Sequence, residues 1–116
     1  IVSSTAMRTR QTTDLLIKSL DIMDNNVYWS PELYLANIYE VLEVIHEYIE
    51  PFSKLMIVGH NPGLDELVSY LSVSPIKRDP TGKLMSTSAV AIFDFKLPIK
   101  GNQSTLQHLL KPKDLY

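Results

Sequence analysis

Apolar residues recur along this chain with two different periods, and their order predicts its architecture. Ile1-Val2-Ser3-Ser4 opens as a strand. From Arg8 to Leu20, Leu15, Leu16 and Leu20 stand at helical spacing with Arg8, Arg10, Asp14 and Lys18 on other faces, which predicts an amphipathic helix. Asn25-Asn26 marks a turn, and Val27-Tyr28-Trp29 is a short strand closed by Ser30-Pro31. The clearest helix starts at Ile38. Val41, Leu42, Ile45, Tyr48 and Ile49 follow its period, Glu40, Glu43, Glu47 and Glu50 face away, and Pro51 stops it. Lys54 to Val58 reads as a buried strand, and Pro62 to Leu71 as a helix that buries Leu64, Leu67, Val68 and Leu71, with Asp65 and Glu66 in its first turns. Ser72 to Gly82 follows neither period and reads as a surface loop. Ala89 to Phe93 is a buried strand that passes into alternation at Asp94-Phe95-Lys96. Leu106 to Leu110 is a short helix or strand, and Lys111 to Tyr116 a finishing segment.

Strands alternating with helices predict an α/β layered domain with a mostly parallel sheet. At 116 residues the chain is expected to be a single domain, 1–116, with one core. Composition changes this picture little: 45% hydrophobic and 21% charged residues are ordinary for a globular protein. A net charge of -2 gives no electrostatic reason to expect nucleic acid. No apolar run reaches the roughly 20 residues of a membrane-crossing helix, so no membrane association is expected. The absence of cysteine removes disulfides, a thiolate nucleophile and cysteine zinc sites. Since Ile1 is not a start methionine and Ile1 to Ser4 reads as a strand already under way, residues upstream are expected to be missing.

The candidate chemistry gathers where strands end. Lys54 to Val58 runs straight into Gly59-His60-Asn61-Pro62-Gly63, which places His60 at the carboxyl end of a strand and just ahead of a helix. In open α/β sheets that edge binds ligands, and the free amides of a helix start favour an anion. Ser3-Ser4-Thr5 with Arg8 leaves the opening strand in the same way, so parallel pairing of the two strands brings Arg8 and His60 to one crevice. Guanidinium offers paired donors to phosphate, and imidazole can donate, accept or attack. His46 in the long helix and His108 in the tail read as solvated or partly packed side chains. No His or Cys at metal-ligand spacing accompanies His60, so no metal is expected. The Ser3-Ser4-Thr5 hydroxyls lack a Gly-x-Ser-x-Gly elbow and read as capping and turn residues.

Together, Ser3-Ser4-Thr5-Ala6-Met7-Arg8-Thr9-Arg10-Gln11-Thr12 and Val58-Gly59-His60-Asn61-Pro62-Gly63 resemble two motifs of the histidine phosphatase superfamily, and most closely its small branch of SixA-type phosphohistidine phosphatases. Pro31-Glu32-Leu33-Tyr34, Thr81-Gly82 to Phe95, and Leu109-Leu110-Lys111-Pro112-Lys113 also fit the branch, so the resemblance covers nearly the whole chain. It implies a three-layer α/β/α, phosphoglycerate mutase-like fold whose first strand and helix lie upstream. It further implies that Arg8 binds phosphate and that His60 stabilises the transferring phosphoryl group, with Asn61 and Ser4 as further substrate-binding candidates. The family's nucleophile is a histidine in an Arg-His motif, which these residues do not contain. Larger members carry a general acid after a Leu-x-Glu pattern, but Leu33-Tyr34-Leu35 puts leucine there and leaves Glu32 as an off-pattern candidate. The implied activity is hydrolysis of protein phosphohistidine, or of a related phosphomonoester, through a phosphohistidine enzyme with no cofactor. The implied partner is a phosphorylated phosphotransfer-type protein or a small phosphorylated substrate, in the cytoplasm. The alternatives are a small-molecule phosphatase or mutase of the same superfamily and a non-catalytic phosphate-binding or interaction domain.

Overall fold

Val2 and Ser3, both wholly buried, form β1 (Val2–Ser3), the middle strand of a three-stranded parallel sheet. The computed structural model describes residues 1–50 and 52–112, and the chain divides into two compact units, Ile1–Gly63 and Leu64–Tyr116. In the first unit β1 pairs with β2 (Tyr28–Trp29) on one side and β3 (Ile57–Val58) on the other. This parallel sheet with crossover helices is the expected α/β class. The strand expected over Lys54 to Val58 is shorter and only half-buried, because β3 meets a neighbour in this sheet on one side, at β1. The expected helix stop at Pro51 lies outside the described residues.

Helix α1 (Met7–Leu20) packs over β1 and β3 by the side that carries Leu16 and Leu20, but the residues it buries there are threonines. Its buried residues are Thr9 and Thr13, while Leu15 and Leu20 are exposed. The reason is a set of hydroxyl bonds: Thr13 Oγ1 donates to Ser3 Oγ at 2.8 Å, and Thr9 Oγ1 and Ser3 Oγ each donate to the Ser4 carbonyl at 2.9 Å. A buried hydroxyl with a partner costs little, and each of these has one. Helix α2 (Ile38–Tyr48) buries Val41 and Ile45 as its period predicts, with Ile49 just beyond it, while Leu42 and Tyr48 are half-buried and Val44, outside the expected stripe, is buried as well. It opens on a reciprocal capping box in which the Asn37 side chain accepts from the Glu40 amide and the Glu40 side chain accepts from the Asn37 amide.

The second unit is built on α3 (Gly63–Leu71), which starts one residue after the expected Pro62. Leu67, Val68 and Leu71 are buried as its stripe predicts, whereas Leu64 is only partly so. Val68 forms a core with Leu84 and Met85, and Ala91, Phe93 and Leu109 pack on it. These last three come from an antiparallel pair, β4 (Val90–Asp94) and β5 (Thr105–Leu110), with a bulge between Ile92 and Phe93. The expected buried strand over Ala89 to Phe93 is thus a two-faced one. Ala91 and Phe93 point to the core, and Val90 and Ile92 point outward. Apolar residues on both faces conceal the period of two. The tail segment Leu106 to Leu110 resolves as strand, and residues 113–116 of the finishing segment lie outside the described residues.

The loop expected from Ser72 to Gly82 is irregular, but two carboxylates pin it and its continuation. Asp65 accepts from the Leu84 and Met85 amides at 2.6 and 3.1 Å and pairs with Arg78 at 3.0 Å. Burial raises the Asp65 pKa, but the Met85 and Leu84 amides and Arg78 outweigh it and the net shift is downward. Asp79 receives the Thr81 hydroxyl and amide and the Lys83 amide, and the Thr81 hydroxyl leads in holding its carboxyl down at about 2. Asp65→Ala is expected to lower stability by about 2 kcal/mol, read from the urea midpoint, because it frees two amides and a guanidinium at once.

Candidate functional site

Register alone brings three strand ends to one level. Ser3 lies opposite Trp29 in β2 and Val58 in β3, so the residues after each strand leave the sheet side by side. From β1 the chain continues through Ser4 into α1. From β2 it continues through Ser30 and the turn Pro31–Leu33 to Tyr34, and from β3 through Gly59 to His60. This is the carboxyl edge on which open α/β folds place ligands.

His60 is half-buried there, and its Nε2 lies 2.8 Å from Ser4 Oγ. The Tyr34 ring meets the imidazole edge-on with centroids 5.5 Å apart, which fixes the plane of the ring from a second side. Burial first, and then the nearby Arg8 cation, hold the His60 pKa below its ordinary 6.5. Arg8 is exposed in the first turn of α1, and among the described residues no carboxylate pairs with it. Arg10 differs: its Nε donates to the Thr5 carbonyl at 2.8 Å, and its guanidinium lies 5.0 Å from the centre of the Trp29 ring. The start of α1 has no side-chain cap and no acidic residue in its first turn, so its amides and Arg8 give one positive region.

The other candidates stand as follows. Ser4 is wholly buried, which puts its hydroxyl behind His60 rather than at the surface. Of the capping and turn roles expected of the Ser3-Ser4-Thr5 hydroxyls, the turn role occurs, since Ser4 Oγ accepts from the Ala6 amide at 3.3 Å, whereas α1 begins without a side-chain cap. Asn61 is exposed beside His60, in the turn before α3. Glu32 is exposed and accepts from the Ser30 hydroxyl at 2.9 Å. Its own backbone amide, followed by Ser30, lowers its pKa, a direction that suits a resident anion and not a proton donor. Tyr34 was not singled out by sequence reasoning. Its approach to His60 depends on the register of β2 against β1, which carries no local signal. Among the described residues no group of three or more His, Asp or Glu side chains is placed to hold a metal ion.

No protein-family model and no curated protein matches the sequence. A solved structure does match: the protein histidine phosphatase SixA complexed with tungstate superposes with a TM-score of 0.76 over 99% of this chain and 70% of that one, at 19% identity. This chain has the fold of that phosphatase. The α/β class expected from the strand and helix pattern, and the phosphoglycerate mutase-like fold implied by the two motifs, therefore both stand. No helix among the described residues is long and apolar enough to cross a membrane.

The lowered pKa makes a testable statement about stability. The folded state prefers neutral imidazole, so the contribution of His60 is fully present above 6.5 and is lost as pH falls through the folded value. Following the His60 ring protons by NMR is expected to give a midpoint below 6.5 that rises in Arg8→Ala, where one cation has been removed. An unchanged midpoint in that variant would separate the two side chains.

Proposed function

We propose that this chain supplies the phosphate-binding residues of a histidine phosphatase-type hydrolase whose substrate is a phosphohistidine on a protein. The observation that carries the proposal is that His60 follows β3 and Arg8 follows β1 at the uncapped start of α1, the carboxyl ends of the two strands lying side by side. The fold supports it, since the matching phosphatase was captured with tungstate, a tetrahedral oxyanion. Guanidinium and helix amides suit the equatorial oxygens of a phosphoryl group, and imidazole adds a further donor.

In the reaction that the resemblance implies, the attacking nitrogen belongs to the histidine of the family's Arg-His motif. It bonds to phosphorus while the bond from phosphorus to the substrate imidazole breaks, and water then cleaves the phosphoenzyme to release inorganic phosphate. Arg8 and His60 hold the phosphoryl oxygens through both steps. The leaving imidazole needs less help than an alkoxide, which fits the ionised state of Glu32 and a site with no assigned general acid.

The test is phosphate release from a phosphorylated phosphotransfer domain by the protein expressed from its full coding sequence, with alkyl phosphates as competitors. Turnover of the phosphohistidine with a covalent phosphoenzyme burst is the expected result. A marked preference for alkyl phosphates would instead indicate a small-molecule phosphatase or mutase. A second reading is a non-catalytic phosphate-binding domain, which the uncapped start of α1 beside the exposed Arg8 would also serve. Binding of phosphate or vanadate without any burst would establish it.

A further inference from the structure

We propose that Ser4 is a positioning residue that fixes the tautomer of His60, leaving Nδ1–H as the hydrogen-bond donor offered to the bound anion. The inference follows from counting protons on one buried oxygen. Ser4 Oγ accepts from the Ala6 amide at 3.3 Å and lies 2.8 Å from His60 Nε2. The side chain is wholly inside the protein, so water does not compete for these bonds. A hydroxyl has a single proton to give, and among the described residues His60 Nε2 is the one acceptor in reach of it. The serine therefore donates, Nε2 accepts, and the neutral imidazole carries its proton on Nδ1.

The surroundings hold this arrangement rigidly. The Ser4 carbonyl takes two hydroxyl bonds, from Ser3 and from Thr9, and Thr13 in turn secures the Ser3 hydroxyl. Three hydroxyl residues of β1 and α1 thus hold the backbone that carries the Ser4 side chain, and the Tyr34 edge lies against the ring. If His60 were protonated, Nε2–H would point at Ser4 Oγ, and the serine proton would have to leave its acceptor inside a closed environment. The contact therefore favours a neutral ring, which acts as a donor through Nδ1 and not as a second cation beside Arg8. Ser4 itself has no path to the anion.

This assignment rests on the phosphate-site reading, but its decisive measurement does not require activity. In the protein expressed from its full coding sequence and labelled with ¹⁵N-histidine, long-range proton–nitrogen correlation above the titration range is expected to show His60 Nε2 as an unprotonated acceptor and Nδ1 as protonated. Ser4→Ala is expected to shift the ring toward the opposite tautomer, and Ser4→Thr, which restores a hydroxyl, to shift it back. A protonated Nε2 in the unsubstituted chain overturns the proposal without any variant, so a Ser4→Ala protein that fails to fold does not protect it. A Ser4→Ala protein that folds with the tautomer unchanged also overturns it. Titration with inorganic phosphate then separates the two readings. Perturbation of Nδ1 on binding, with affinity about three- to tenfold weaker in Ser4→Ala, supports both. The expected tautomer with no response to phosphate would preserve the role of Ser4 in positioning the ring but remove the anion it is said to serve, and so overturn the proposal as stated.

Discussion

Gly63→Ala is expected to destabilise the protein by about 3 kcal/mol, an unusually large effect for one added methyl group. A Cβ at Gly63 would lie inside van der Waals contact with the carbonyl oxygen of Ala36 and 3.4 Å from Val41 Cγ2. Neither neighbour can retreat easily. Ala36 is buried and immediately precedes Asn37, the residue that closes the capping box of α2, and Val41 is one of the buried positions of that helix. The glycine itself is the third residue after His60, so relief by backbone movement would displace the His60 turn. Gly82→Ala provides the contrast: its φ of +83° disfavours alanine, but no atom stands within 4 Å of the new Cβ. That change is expected to cost about 1 kcal/mol, from torsion alone. Urea midpoints of the two variants test the distinction, and equal losses would contradict the assignment of a backbone clash at Gly63. The Gly63 variant is also expected to lose the His60 tautomer signature if it folds, whereas the Gly82 variant is expected to keep it.

The sequence revealed the parts of the fold set by local periodicity, and it missed those that depend on a partner distant in sequence. Helix α2 was legible because its core stripe, capping residues and acidic outer face all agree. Helix α1 was not, because its true inner face is Thr9 and Thr13, whose burial makes sense only once Ser3 and the Ser4 carbonyl are known to wait opposite. Leu16 shares that side and is half-buried, Leu20 ends it in the open last turn, and Leu15 alone lies off it. In β4, apolar residues on both faces concealed which one meets the core. The candidate site shows the same division. The glycine and proline around His60, and the placement of Arg8 at a helix start, are local signals that survive without a structure. The Ser4 contact and the Tyr34 edge arise from the register of β1 with β3 and β2, so they became visible only when Ser3 was seen opposite both Val58 and Trp29.

In the protein expressed from its full coding sequence, His60→Ala and Arg8→Ala are each expected to lower phosphate release by two to three decades, because phosphoryl transfer rests on positioning and charge neutralisation. On the proposed function both side chains act on one phosphoryl group, so the two losses should fall short of additive. Arg8→Lys keeps the charge but loses the paired donors, and about a tenfold defect is expected of it. Arg10→Ala is the discriminating control. Arg10 lies two residues from Arg8 on the same exposed helix start, so a general loss of positive charge would weigh equally on both. Its guanidinium is instead committed to the Thr5 carbonyl and the Trp29 ring, which predicts a modest effect on stability and little on rate. Were Arg10→Ala to cost as much as Arg8→Ala, the rate would depend on the field of the helix start and not on one guanidinium at the phosphoryl group. Stability measured alongside completes the argument. Arg8 is exposed and, among the described residues, pairs with no carboxylate, so a rate loss with an unchanged urea midpoint would assign it to chemistry and not to folding.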